Sequence, residues 1–355
     1  PDGKFLFVTS LNGQLYAFSK NADGWDSTPT LLTQIETHFP GFPPDEAGLT
    51  GFIFSSKFAE NGKLFLLYSF KNADSSVKNR ISVTKITNAS DRLTASTPKT
   101  IFQANFSGSA SHQITDGIGL SLADVPHLLV LVGEGFDPSR AQDPHLEGGK
   151  VLLLKEDGSN PDGVRPYQQN PKVQALGLRN AFVLTPIPNL GRLMIADTGP
   201  DKYDRLIALA YPHLEHNAQV NLNWDGNQDK LNEPIPDPDG PPLKDIVLYR
   251  LPDTRTFTGL AFLHSDVQTQ TFLATMFGKT GSTDNQPGKE IWLGTLTRPF
   301  SQPEITFRPI IQRTQEANGK LGNPIGLALD NDENFFFADV LESRIYFVTT
   351  NFKGR

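Results

Sequence analysis

Residues 326–348 read GLALDNDENFFFADVLESRIYFV. An apolar run, Gly326–Asp330, ends in the polar turn Asp330-Asn331-Asp332-Glu333. A second run, Asn334–Asp339, follows, then a polar gap, then a third run, Ser343–Val348. Each run is short, rich in Leu, Phe, Val and Ile, and bounded by turn residues, which is the signature of a β-strand. The stretch therefore predicts one small antiparallel sheet. Such a sheet cannot cover both of its own faces and must stack on a neighbour.

The same phrase recurs along the chain. Its middle strand reappears as Lys4–Thr9, Lys63–Ser69, His127–Gly133, Arg192–Asp197 and Thr271–Met276. The following strand reappears as Gln14–Ser19, Arg80–Ile86, Gly149–Leu154, Arg205–Leu209 and Glu290–Leu296. The preceding strand is visible as Gly51–Phe54, Gly119–Ala123, Asn180–Thr185 and Gly259–Leu263, and in the first unit it would fall upstream of Pro1. Marking each unit at Phe5, Leu64, Leu129, Leu193, Phe272 and Phe335 gives intervals of 59, 65, 64, 79 and 63 residues. Six units of near-constant length predict an all-β protein, a six-bladed β-propeller of four-stranded antiparallel blades, as one domain over 1–355. A pair of β-sandwiches is the competing arrangement. Its best linker is Asn232–Pro242, with five prolines, but a long loop inside the longest interval accounts for that segment equally well.

Composition narrows the function. The 355 residues carry 32 Lys+Arg against 39 Asp+Glu, a net charge of −7, which argues against a nucleic-acid groove. No stretch approaches the ~18 apolar residues of a spanning helix. Cysteine is absent, so disulfides, thiolate zinc sites and cysteine nucleophiles are excluded. The chain starts at Pro1, and the expectation is that a leader is removed ahead of it. Gly133-Glu134-Gly135 lacks the third glycine and the helix of a dinucleotide loop. Asp225-Gly226-Asn227-Gln228-Asp229 starts like an EF-hand but meets Lys230 and Pro236 where Gly and Glu belong.

Three segments carry chemistry. His112 lies in the polar loop Ser109–Gly117 just before a strand, where an imidazole can act as a general base or simply be a surface histidine. Arg179, in Leu178-Arg179-Asn180, offers a permanent planar fork for carboxylates or quinone oxygens, or a salt bridge between blades. The turn Asp197-Thr198-Gly199-Pro200-Asp201, followed by Asp204, can aim carbonyls at a hard cation such as Ca²⁺, or be a plain turn.

Taken together these segments resemble the pyrroloquinoline quinone (PQQ)-dependent soluble sugar dehydrogenases, which include soluble glucose, aldose sugar and sorbosone dehydrogenase-like proteins. The likeness rests on Gly48-Leu49-Thr50-Gly51-Phe52, on Val132-Gly133-Glu134-Gly135 with Gly148-Gly149-Lys150, on Leu178-Arg179-Asn180, on Thr198-Gly199-Pro200, on Asn223-Trp224 and on Gly322-Asn323-Pro324-Ile325-Gly326. The resemblance implies a six-bladed propeller that oxidises an aldose or related sugar or polyol. It makes His112 the base, Arg179 and Asn180 the quinone contacts, and Lys279 and Lys320 further cationic positions. The carbonyls of Gly199 and Pro200, with Asp204, would hold Ca²⁺. The location implied is extracellular or periplasmic, and self-association stays open. Departures from the family pattern are Ala47 for a glutamine, the stretched segment after His112, Arg205 for an acidic residue, and Lys320-Leu321-Gly322-Asn323 for an Arg-rich cluster. They keep two alternatives in view: a non-catalytic extracellular propeller that binds a partner, a glycan or itself, and a calcium-dependent lactonase using Asp116, Asp197 and Asp204.

Overall fold

In the computed structural model the turn that opens residues 326–348 is built by one carboxylate. Asp330 Oδ1 accepts the backbone N–H groups of Asp332 and Asn334 at 2.9 and 3.0 Å. Asp339 repeats the device at the next corner, accepting from Leu341 and Glu342 at 3.0 Å each. Asx turns of this kind give the chain a reversal without a glycine. They join Pro324–Leu329, Phe335–Asp339 and Arg344–Val348 into one antiparallel sheet. The structure describes residues 3–22, 24–39, 46–89, 92–163, 165–210, 219–235, 247–263, 266, 268–278, 289–298, 303–312 and 323–350.

The other five units also form antiparallel sheets, and the fold is a six-bladed β-propeller. The first blade holds Phe5–Ser10, Gln14–Asn21 and Thr30–Gln34, with the short Gly24–Trp25 folded onto the end of its middle strand. The second holds Leu49–Phe54, Lys63–Lys71, Val77–Ala89 and Lys99–Gln103, and the third Ile114–Leu122, Val125–Val132, Lys150–Lys155 and Val173–Leu176. The fourth is Ala181–Ile187, Arg192–Asp197, Asp204–Ala210 and Val247–Leu251, and the fifth Phe257–Phe262, Thr269–Met276, Glu290–Thr297 and Glu304–Ile311. The chain divides into two compact units, Pro1–Leu178 with blades one to three and Arg179–Arg355 with blades four to six. None of the described helices is long and apolar enough to cross a membrane.

Within each unit, apolar clusters lie where neighbouring blades stack. One joins Ile53, Phe65 and Leu67 of the second blade to Leu128, Val130 and Leu152 of the third. Another joins Met194, Leu206 and Ala208 of the fourth to Phe257, Phe272 and Leu296 of the fifth. Each fully buried side chain of this size contributes about 1.5–3 kcal/mol.

A Thr-Gly pair sets the spacing of inner strands in both units. Thr50 Oγ1 donates to Ile114 O of the next blade at 2.7 Å, and a Cβ on Gly51 would lie 2.7 Å from Thr115 O. Thr258 Oγ1 donates to Pro324 O at 2.7 Å, and a Cβ on Gly259 would lie 2.7 Å from Gly326 C. The hydroxyl bridges the two strands, and the glycine lets their backbones approach.

Candidate active site

His112 stands at the foot of the inner strand of the third blade. The strand starts at Ile114, and its register shifts between Ile114 and Gly117, a bulge that re-aims the chain beside the histidine. His112 itself is buried and adopts φ 57°. Its backbone fits only because residue 133 is glycine: a Cβ there would lie 2.5 Å from His112 O. Its carbonyl accepts the N–H of Gly135 at 2.9 Å, and the N–H of Gly133 donates to Gln113 O at 2.9 Å.

The imidazole Nδ1 lies 2.7 Å from Glu134 Oε2, and both side chains are buried. A carboxylate accepts only, so Nδ1 carries a proton, and in the neutral imidazole the lone pair sits on Nε2. Nε2 has no hydrogen-bond partner among the described residues. This is a carboxylate-oriented imidazole, the arrangement that readies a histidine to take a proton and stabilises the imidazolium that forms.

Glu134 is fixed in turn. Its Oε2 also accepts the N–H of Phe136 at 2.9 Å. Arg140 Nη1 donates to the carbonyls of Glu134 and Gly135 at 3.1 and 3.0 Å. Arg140 belongs to the short helix Ser139–Gln142, which Lys150 anchors from below. The Lys150 ammonium is wholly buried and donates to the carbonyls of Arg140, Ala141 and Gly148 at 2.6, 3.1 and 2.7 Å. Burial pushes its pKa down to about 7, with Asp143 and Glu147 pulling it back up.

A second cluster belongs to the fourth blade and the segments around it. Asp197 Oδ1 accepts the backbone N–H groups of Arg179 and Asn180 at 3.1 and 3.0 Å, and its Oδ2 pairs with the fully buried Arg205 guanidinium. Arg205 also donates to Leu222 O. The Arg179 guanidinium lies 5.7 Å from the Trp224 ring, and its Nη1 donates to Thr198 O and Gly199 O at 3.1 and 3.2 Å. Arg179 Nε and Asn180 Oδ1 are buried with no partner among the described residues.

Asp204 spends its carboxylate on the backbone: Oδ1 accepts from Gly199, and Oδ2 from Arg255 and Thr256 at 2.7 Å each. Burial raises its pKa to about 6, against the pull of those three amides. Among the described residues no three His, Asp or Glu side chains gather as metal ligands.

A guanidinium nitrogen without a partner among the described residues, beside an indole, suits a planar, anionic group such as PQQ, and the amide oxygen suits an N–H of that group. For a hard cation the fit is partial. The carbonyls of Thr198 and Gly199 already face a cationic group, the Arg179 guanidinium, whereas Asp204 is engaged by amides.

The sequence reading expects His112, Arg179, Asn180, Gly199, Pro200 and Asp204 in one site; the structure places His112 in the unit Pro1–Leu178 and the other five in the unit Arg179–Arg355, where it brings those five together. Lys279 and Lys320 lie outside the described residues. Glu134, Lys150 and Arg205 are functional candidates that the sequence reading left without a role, and Asp197, offered there as a lactonase ligand, is instead the partner of Arg205.

Fold and side chains thus define a class: a six-bladed propeller carrying a buried carboxylate–imidazole pair. Residues 1–211 match the family described as Glucose / Sorbosone dehydrogenase, and the chain belongs to that family. No protein of curated function matches the sequence. The fold is shared with solved structures of low identity. The apo-form of the soluble aldose sugar dehydrogenase from Escherichia coli has TM-score 0.68 and 16 % identity, over 98 % of this chain and 92 % of that one. The PQQ-bound aldose sugar dehydrogenase from Streptomyces coelicolor has TM-score 0.64 and 16 % identity, over 95 % and 85 %. A calcium structure of a family AA12 carbohydrate-active enzyme from Trichoderma reesei has TM-score 0.53 and 13 % identity, over 99 % and 96 %.

Proposed function

We propose that the chain is a PQQ-dependent dehydrogenase of an aldose or a related sugar or polyol, with His112 as its general base. The observation that carries this reading is the 2.7 Å contact between His112 Nδ1 and Glu134, which leaves Nε2 as the basic nitrogen. PQQ, when bound, supplies the two-electron acceptor for the hydride leaving the carbon that bears the reacting hydroxyl.

His112 Nε2 takes the hydroxyl proton, and Glu134 pairs with the imidazolium. Arg179 donates through Nε to the anionic cofactor and Asn180 Oδ1 accepts from its ring N–H, two atoms without a partner among the described residues. Lys279 and Lys320 add positive charge for its carboxylates. Ca²⁺ is proposed at the carbonyls of Gly199 and Pro200, replacing the Arg179 guanidinium at Gly199 O. Asp204 supports that turn through the Gly199 N–H. An extracellular or periplasmic location belongs to the same proposal and is tested by fractionation.

A propeller that only binds a partner has no need of a buried carboxylate behind a histidine. A lactonase needs converging acidic ligands, and Asp197 and Asp204 are committed to Arg205 and to backbone amides. The test is reconstitution of the purified chain with PQQ and Ca²⁺, followed by dye reduction across an aldose and polyol panel. Turnover that disappears in His112→Ala supports the reading; no turnover with any substrate ends it.

A further inference from the structure

Phe136 is the most exposed large hydrophobic side chain among the described residues, at 66 %, and it is also held at φ 65°. An exposed phenyl ring returns no burial energy, and a positive φ is unfavourable for a bulky residue. The fold therefore bears two costs at one position with little packing in return. Strain of this kind persists only where the surroundings enforce it, and it concentrates at functional sites.

The surroundings do enforce it. The Phe136 N–H is held by Glu134 Oε2 at 2.9 Å. Gly135, at φ 66°, is wedged so that a Cβ would lie 2.9 Å from the Phe106 ring and 3.0 Å from Arg140 Nη1. Arg140 also pairs with Asp137 at 3.2 Å. The turn is tied on both sides of Phe136, and the ring is presented rather than merely left outside.

What the ring is presented to follows from its one aromatic neighbour among the described residues. Its centroid lies 4.9 Å from that of His112, with the planes tilted by 50°. His112 Nε2 is the atom that meets a substrate hydroxyl. A ring beside it touches the rest of the same substrate.

We infer that Phe136 is a substrate-binding residue whose face packs against the C–H face of a pyranose ring, making cyclic aldoses preferred over acyclic polyols. A pyranose offers a flat patch of C–H groups to an aromatic face, and a flexible polyol must freeze several torsions to offer the same. The inference rests on the dehydrogenase reading and deepens it.

The test compares wild type, Phe136→Asn and Phe136→Trp, each reconstituted with PQQ and Ca²⁺, on an aldopyranose and on an acyclic hexitol. Asparagine tolerates the backbone geometry and removes the ring; tryptophan keeps a face. Phe136→Asn is expected to raise KM for the pyranose about 5- to 20-fold with kcat within about 3-fold, and to leave KM for the hexitol unchanged. Its Tm should stay within a few degrees of wild type, because relief of strain offsets the lost ring contact with His112. Phe136→Trp should restore the pyranose KM. An unchanged pyranose KM in Phe136→Asn, an equal rise for both substrates, a loss confined to PQQ affinity, or a fall in Tm of more than a few degrees would each overturn the inference while the dehydrogenase stands. A wild-type protein that oxidises neither substrate overturns the dehydrogenase reading and this inference with it.

Discussion

Replacing Glu134 by glutamine changes the proposed base while sparing the architecture. The carboxylate accepts from His112 Nδ1 at 2.7 Å and from the Phe136 N–H at 2.9 Å, both on Oε2. Glutamine has the same shape and can keep both bonds through its carbonyl oxygen. What it loses is the negative charge that pairs with the imidazolium once Nε2 takes the proton. A hydrogen bond to a charged group contributes about 1.5–3 kcal/mol, equivalent to roughly 10- to 150-fold in rate. If the amide instead turns its NH₂ toward Nδ1, the imidazole must adopt the other tautomer. Nε2 then carries the proton, and the loss approaches ~10⁴-fold. Glu134→Gln should therefore lower kcat by roughly 10- to 10⁴-fold, with PQQ stoichiometry unchanged and Tm within a few degrees of wild type. Dye-reduction kinetics, cofactor absorbance and calorimetry on one preparation separate these readouts. A variant with kcat within about threefold of wild type would show that the pair is structural and that the base lies elsewhere.

Three further outcomes follow from the same geometry. Lys150→Met should destabilise the chain by about 2–4 kcal/mol, because three buried carbonyls lose their donor. The gap between Lys150→Met and wild type should widen as pH rises from 7 to 9. The folded lysine sits at about 7 and the unfolded one at 10.5, so the unfolded chain holds the extra proton in that window and the wild type gains stability with pH. Denaturant melts at the two pH values measure this, and a narrowing gap contradicts it. Asp197→Asn should cost about 3–5 kcal/mol by leaving the Arg205 guanidinium buried without its carboxylate, and adding Arg205→Met should recover part of that loss. An Asp197→Asn melt within 1 kcal/mol of wild type would refute the clamp, taking ~1 kcal/mol as the ordinary effect of a substitution. Gly133→Ala should reduce kcat more than tenfold, since its Cβ would lie 2.5 Å from His112 O and push the imidazole off Glu134.

The strands that stack into the core were legible because burial forces long apolar runs on them. Lys63–Lys71 and Arg192–Asp197 are buried along most of their length, and their sequences show it. The outer strands were not named individually from the sequence. Thr30–Gln34 and Lys99–Gln103 are largely exposed and carry Thr, Lys and Gln, so their pairing depends on a neighbour already in place. The inner strand of the third blade begins at Ile114, five residues ahead of the expected Gly119, because its start is polar and bulged.

The chemistry divides in the same way. His112 and Leu178-Arg179-Asn180 stood out as types in context. Glu134 was visible between two glycines, but its partner lies 22 residues away and only the hairpin of the third blade brings them together. Its one local signal is a buried-type position occupied by a carboxylate at the end of the strand Val125–Val132. Arg205 read as a departure from the family pattern; the structure makes it the counter-charge of Asp197, whose other oxygen holds the Arg179 and Asn180 amides. A pair of opposite charges on adjacent strands carries no mark of burial in the sequence alone.

The most direct measurement is a single anaerobic turnover. Wild type and His112→Ala are loaded with PQQ and Ca²⁺, freed of excess cofactor, and mixed with an aldose while the quinone absorbance is followed. The prediction is equal cofactor loading in the two proteins, rapid sugar-dependent bleaching in wild type, and bleaching slowed more than ~100-fold in the variant. Equal bleaching rates, or a wild-type protein that retains no PQQ, would contradict it.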